Sequence, residues 1–133
     1  MVIDTSAILA IFLDEPEAPL FELAIESDSN RLISIASVLE AAIVLGTRFG
    51  ETGERELDLF MHKAKLQPMA VTEQQAELGR LAYRNYGKGR HRAGLNFGDC
   101  FSYALSKTSG EPLLFKGDDF AGTDVEPVTL PPG

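Results

Sequence analysis

Short apolar runs alternate along this chain with longer amphipathic ones, and no other feature limits its possible folds as strongly. Met1 to Ile3, Arg31 to Ile35, Gln67 to Val71 and Pro112 to Phe115 are too short for helices and read as buried strands, with Val125 to Val128 a weaker last one. Between them lie helical segments over Ala7 to Leu13, Glu17 to Ser27, Ser37 to Phe49, Glu54 to Lys65, Thr72 to about Tyr86 and Asn96 to about Ser109. Val38, Ala41, Ala42 and Leu45 keep the helical period, and Gly50 and Gly110 stand where helices stop. Thr72-x-x-Gln75 and Ser37-x-x-Glu40 have the form of capping boxes, and Asn96 can cap the helix that follows it. Strands separated by helices need crossover connections, which produce a mostly parallel sheet with helices on both faces. The expected architecture is an α/β three-layer sandwich of about five short strands, in one domain over residues 1–133.

The 133 residues can bury a core without staples, and the lone Cys100 excludes an internal disulfide or a Cys-rich zinc site. Such cysteine usage fits a reducing, cytoplasmic setting. The start Met1-Val2-Ile3-Asp4 has no basic n-region, and no stretch approaches the roughly 20 apolar residues of a membrane span, so neither a secretory signal nor a membrane association is expected. Twelve bases against twenty acids give a formal net charge of −8, which at first sight argues against nucleic acid as a partner.

In a parallel sheet the strands all end on one edge, and ligands bind beyond that edge near the point where strand order reverses. Asp4 directly follows the first strand, and Asp118 and Asp119 follow the strand ending at Phe115. Glu40 falls in the first turn of the helix after Ile35, and Asp99 in the first turn of the helix before the late strand. Each acid has a structural explanation of its own: a capping box for Glu40, the helix macrodipole for Asp99, a cap for Asp4, a turn for Asp118-Asp119. Gathered on one rim, however, such carboxylates repel one another and raise each other's pKa, a situation relieved by a divalent cation. An all-oxygen donor set favours magnesium or manganese over zinc. Magnesium held by one or two carboxylates keeps positions open for substrate phosphate, the equipment of phosphodiester hydrolysis. His62 and His91 belong to no recognisable nucleophile motif.

Four segments now occur in order: Met1-Val2-Ile3-Asp4-Thr5-Ser6-Ala7, Ala36-Ser37-Val38-Leu39-Glu40, Gly98-Asp99-Cys100-Phe101-Ser102-Tyr103-Ala104 and Leu113-Leu114-Phe115-Lys116-Gly117-Asp118-Asp119-Phe120. Together they resemble the PIN-domain ribonuclease toxins of the VapC type, from VapBC toxin–antitoxin systems, over residues 1 to about 128. The resemblance implies a magnesium-dependent endoribonuclease, with manganese a possible substitute, acting on tRNA or rRNA. It also implies homodimers and neutralisation by a VapB-type antitoxin. The family's acidic set maps onto Asp4, Glu40, Asp99 and Asp119, with Asp118 the second choice for the last position. Asp4 and Asp99 are the strongest metal-ligand candidates, and Thr5 or Ser6 would support the site through hydrogen bonds. Many members carry Ser or Thr where this chain has Phe115, and often an acid at Gly117, so a polar role at those two positions is not expected here.

The net charge hides a segregation. From Leu78 to Gly98 there are five basic residues, Arg80, Arg84, Lys88, Arg90 and Arg92, and no acid. The loop carrying Lys88, Arg90 and Arg92 combines mobility with cationic donors, and these three are the expected RNA-binding residues, with Tyr83 or Tyr86 available to stack on bases. Arg80 and Arg84 fit equally well as solvated helix charges. Leu57, Phe60 and Met61, with Phe12, Leu20 and Phe21, form a second expectation, a surplus apolar surface for an antitoxin helix or a second copy. The alternative function is a catalytically weak PIN scaffold that acts mainly as a partner-binding or regulatory module. A phosphoacceptor receiver domain fits less well, since adjacent acids after the first strand and a central phosphoacceptor Asp are both missing.

Overall fold

The structure, a computed structural model, describes residues 1–132. The elements run β1 (Val2–Ile3), α1 (Thr5–Phe12), α2 (Ala18–Ser27), β2 (Leu32–Ser34), α3 (Ile35–Phe49), α4 (Glu51–Lys63), β3 (Gln67–Met69), α5 (Glu73–Tyr86), α6 (Phe97–Ser109) and β4 (Leu113–Leu114), followed by a short 3₁₀ turn at Phe120–Gly122. The sheet has the order β3-β2-β1-β4, with every pairing parallel. Four strands form rather than about five. Glu126 accepts from Leu113 N–H and Val128 donates to Leu113 C=O, but beyond an isolated bridge at Pro127 this segment builds no strand. Pro127 has no N–H to extend the ladder.

The strands are short and buried on both faces, as parallel crossovers demand. Alternate residues point to opposite sides of a strand, so Ile3, Ile33 and Leu114 enter one core while Val2, Leu32 and Leu113 enter the other. The first core is closed by Ile8, Phe21, Leu45 and Leu57 from α1 to α4, and the second by Ala82, Tyr103, Leu105 and Phe120 from α5, α6 and the 3₁₀ turn. Fully burying an aliphatic side chain of this size contributes about 1.5–3 kcal/mol, so these layers fix the sheet and with it the positions of its ends.

Two helix starts differ from the sequence pattern. The N-cap of α3 is Ser34, whose hydroxyl accepts from Ala36 N–H, so the Ser37–Glu40 capping box is not used and Glu40 lies in the second turn rather than the first. Ser34 ends β2 and caps α3 at once, leaving no loop between them. At α5, Thr72 accepts from Gln75 N–H, but the Gln75 side chain does not return the bond. Leu57 and Phe21, read above as part of a surplus apolar surface, are core residues. Phe12 and Phe60 do meet at a half-buried edge-to-face contact. Exposed apolar side chains occur on several helices, Leu59 of α4 among them, and the densest run is Ile35, Leu39, Ile43 and Val44 on α3, with Phe97 of α6 the most exposed of all. Among the described residues no helix is long and apolar enough to cross a membrane.

Candidate active site at the carboxyl edge of the sheet

The chain adds β2 and then β3 on one side of β1 and later places β4 on the other, so strand order reverses at β1. Asp4 stands at the carboxyl end of that strand, its N–H bound to Leu114 C=O of β4 at 2.9 Å. It is only 4% exposed. One carboxylate oxygen accepts from Ser6 N–H at 2.9 Å, which caps α1, and the other accepts from the Ser102 hydroxyl of α6 at 2.5 Å. Ser102 also meets the Ser37 hydroxyl at 3.3 Å, and Thr5 Oγ1 donates to Ser37 C=O at 3.2 Å. A buried polar chain thus ties β1, α1, α3 and α6 together behind one carboxylate. Ser6 uses its hydroxyl differently, accepting from Lys116 N–H at 2.9 Å and holding the loop after β4 against α1.

A helix that leads back into a parallel strand starts at the carboxyl edge, and α6 brings Asp99 there. Asn96 and Asp99 form a reciprocal capping box: Asn96 Oδ1 accepts from Asp99 N–H at 2.9 Å and Asp99 Oδ2 accepts from Asn96 N–H at 3.0 Å. Burial pushes the Asp99 carboxyl up to about 7. The Asn96 N–H pulls it down, while the charges of Asp4 and Asp119 and a hydrogen bond with Asp119 push it up further. Asp119 therefore reaches the same rim. Asp118 is exposed, and its side chain makes no hydrogen bond or ion pair among the described residues. Gly117 turns the intervening loop with a φ of +99°, a conformation that favours glycine. Phe115, where the family often has a hydroxyl, packs on Phe120 with ring centroids 5.2 Å apart.

Glu40 reaches the rim from α3. Its carboxylate lies so close to the Gly98 backbone that a β-carbon there would overlap it. Gly98 is in the first turn of α6, where unpaired N–H groups and the macrodipole favour a negative charge. No ion pair links Asp4, Glu40, Asp99 or Asp119 to a basic side chain among the described residues. Nor do any three Asp, Glu, His or Cys side chains among them stand close enough to enclose a metal ion. The donors are hard oxygens without a neutralising partner, and they form an open set rather than a cage. This fits a magnesium-sized cation, which takes one or two carboxylates and completes its shell with water or phosphate.

The clustered basic residues lie on α5 and on the loop that leads into α6. Arg80 and Arg84 are exposed on α5, and Lys88, Arg90 and Arg92 are exposed on the loop between α5 and α6. That loop is knitted rather than loose. Lys88 N–H donates to Leu95 C=O at 2.8 Å, Leu95 N–H to Tyr86 C=O at 2.9 Å, and Arg90 and His91 N–H both to Gly87 C=O. Ala93 packs against Gly122, just past Asp119, so the cationic loop borders the segment that carries the last acid. Ser102 and Ser37 are the members of the assembly that sequence reasoning left out, and Ser102 is the one that touches a carboxylate. The signal for Ser102 is the Asp99-x-x-Ser102 spacing, which puts both side chains on neighbouring positions of one helix face.

Comparison with known proteins bears on family and fold. A family model described as "PIN domain" matches residues 1–126. A Mycobacterium tuberculosis protein named "Ribonuclease VapC30" is 61% identical over 131 residues, covering 98% of this chain and 100% of its own length. A Mycolicibacterium smegmatis protein named "Ribonuclease VapC" is 62% identical over 128 residues, covering 96% of this chain and 99% of its own length. A crystal structure of Mycobacterium tuberculosis VapC20, described as a sarcin-ricin loop cleaving toxin, superposes with a TM-score of 0.67 at 21% identity, covering 95% of this chain and 98% of its own, a likeness of fold. The chain belongs to the PIN-domain family and, within it, to the VapC group.

Proposed function

We propose that the protein is a divalent-cation-dependent endoribonuclease, the toxin of a toxin–antitoxin pair, with magnesium as the cofactor and manganese able to replace it. The observation that carries this reading is the set of carboxylates, Asp4, Asp99 and Asp119, at the sheet's switch point with no basic partner among the described residues. Near-full-length similarity to proteins named VapC ribonucleases supports it. Asp4 and Asp99 hold the cation, and Glu40 and Asp119 complete the acidic rim. When bound, the cation lowers the pKa of water and neutralises charge building up on the phosphodiester.

The chain's own residues do the rest. Ser6 N–H and the Ser102 hydroxyl fix both oxygens of Asp4, so this carboxylate needs no reordering to receive its ligand. The Asn96 N–H leaves Asp99 Oδ1 free of the capping bond. Lys88, Arg90 and Arg92 grip backbone phosphates and guide the strand past Asp119. The substrate class is structured cellular RNA, tRNA or rRNA. The protein works in the cytoplasm as a homodimer, and its VapB-type antitoxin silences it by placing an arginine against the acids, where the guanidinium replaces the cation's charge. A structure of the complex with no basic side chain near Asp4 or Asp99 would reject that mode of silencing.

The test is incubation of partner-free protein with total RNA in magnesium, in manganese and in EDTA, beside Asp4→Asn and Asp99→Asn. Cleavage that needs the cation and is lost in both variants is the expected result. Cleavage of equal rate in the variants would remove these residues from the active site.

A further inference from the structure

Three glycines of the described chain, Gly53, Gly87 and Gly98, stand where a β-carbon would overlap a neighbour. At Gly53 and Gly87 the obstacle is a backbone carbonyl oxygen, of Leu45 and of Tyr83, so these two serve a helix crossing and a helix end. Gly98 is different. The three atoms nearest its missing β-carbon all belong to the carboxyl group of Glu40, Oε1 and Cδ at 2.9 Å and Oε2 closer still. Gly98 is the second residue of α6 and lacks the positive φ that favours glycine at Gly50 or Gly117. Glycine within a helix is less favourable than alanine, so the local backbone gains nothing from it. Glu40 has no other hold: its carboxylate makes no hydrogen bond or ion pair among the described residues. It stands at a hollow of about 320 Å³ whose walls are otherwise apolar, with Leu39, Ile43, Phe97 and Phe101 among them.

We propose that Gly98 is a positioning residue of the acidic rim: its bare α-carbon lets the Glu40 carboxylate lie against the start of α6 beside Asp99, and any side chain there expels it. The inference rests on the ribonuclease reading above, which gives Glu40 its place in the rim. Shape makes this seat. The α-hydrogen that replaces a side chain faces the carboxylate in a weak C–H···O contact, and a methyl group would fill the same space. The positive end of the α6 dipole then favours the charge held there. Since the obstructed atoms are the end of a flexible side chain, relief costs the fold little. Glu40 rotates out into water, α6 stays where it is, and the loss falls on the site. One helical turn therefore sets two acids, Asp99 through its capping box and Glu40 through the gap one residue earlier. A glycine needed for close packing of α3 on α6 would instead meet backbone atoms of α3, as Gly53 of α4 does.

The experiment compares the full chain with Gly98→Ala, Glu40→Gln and the double variant. With total RNA and magnesium, each single variant is expected to cleave about tenfold more slowly than wild type. The double variant should be no slower than Glu40→Gln alone, the non-additivity of residues in contact. Gly98→Ala should melt no lower than wild type, because a helical glycine has been replaced. A second readout needs neither metal nor RNA. In isotope-labelled protein in EDTA, Glu40→Gln should shift the Asp99 amide resonance, and the same substitution made on Gly98→Ala should leave that resonance in place. An equal Asp99 shift in both backgrounds would overturn the inference, as would full-rate cleavage by Gly98→Ala or losses that multiply in the double variant. A Gly98→Ala chain that melts well below wild type would overturn it too, since the fold rather than Glu40 would then need the glycine. An Asp99 shift that depends on Gly98, together with no cleavage by wild type, would count against the ribonuclease reading and leave the seat of Glu40 standing.

Discussion

At the amino edge of the sheet, the buried ammonium of Met1 donates to Asp28 Oδ2 and Glu111 Oε1, each at 2.8 Å, and to Asn30 C=O at 2.7 Å. At the carboxyl edge of the same sheet, Asp4, Asp99 and Asp119 approach one another with no cation from the described chain among them. The hydrogen bond to the ammonium is the main reason that Asp28 and Glu111 titrate below the ordinary carboxylate range, whereas burial lifts Asp99 to about 7. Acidic residues are thus used in two ways on one scaffold. The matched set closes the fold, and the unmatched set leaves a charge that something outside the described chain must neutralise.

The largest expected effect separates the two edges by activity. Asp99→Asn and Asp4→Asn should each lower the rate of RNA cleavage by at least about 100-fold, the scale on which a charged active-site partner is felt. Asp99→Asn should melt no lower than wild type, because it removes repulsion. Gel-resolved cleavage rates and calorimetry on the same preparations check both parts. At the other edge, Asp28→Asn should leave cleavage unchanged and destabilise the fold by about 1 kcal/mol, since one partner of a buried ammonium is lost.

Magnesium should raise the wild-type melting temperature by several degrees at saturating concentration, because binding to the folded state alone stabilises by mass action. The rise should vanish in Asp99→Asn and persist in Asp28→Asn, as read by scanning calorimetry.

The most diagnostic effect is a reversal of sign with pH. The depressed carboxyls of Asp28 and Glu111 contribute stability that is present at neutral pH and lost as pH falls below about 4. The raised carboxyl of Asp99 binds a proton more tightly in the folded than in the unfolded chain, so metal-free stability should fall as pH rises from about 4 to about 7. Urea midpoints across this range in EDTA should show both slopes, with Asp99→Asn flattening the upper one and Asp28→Asn reducing the lower.

Much of this was legible in the residues. The alternation of short apolar runs with amphipathic ones specifies a parallel sheet, and Asp4 and Asp119 follow strands that must end on one edge. Asp99 was harder to place, because a parallel sheet does not say how the loop from Gly87 to Asn96 returns the chain. Backbone bonds between that loop's ends settle the return and turn an expected mobile segment into an ordered one. Glu40 was legible as a rim acid, but its turn was not: β2 runs straight into α3 at Ser34, so the Ser37–Glu40 capping-box pattern is unused. Ser102 left only the faint signal of its spacing from Asp99, since a helical serine gains meaning from the carboxylate that tertiary packing sets beside it. Thr72-x-x-Gln75 announces a reciprocal cap, yet only the Thr72 half forms, and Gln75 is buried.

The most direct measurement is a manganese titration followed by electron paramagnetic resonance, comparing wild type with Asp4→Asn/Asp99→Asn. Saturable loss of the free-ion signal in wild type, absent from the double variant while that variant remains folded, is the predicted result. Equal manganese uptake by both proteins would mean that the unmatched acids at the carboxyl edge are not the cation site, and the account of the active site would fail.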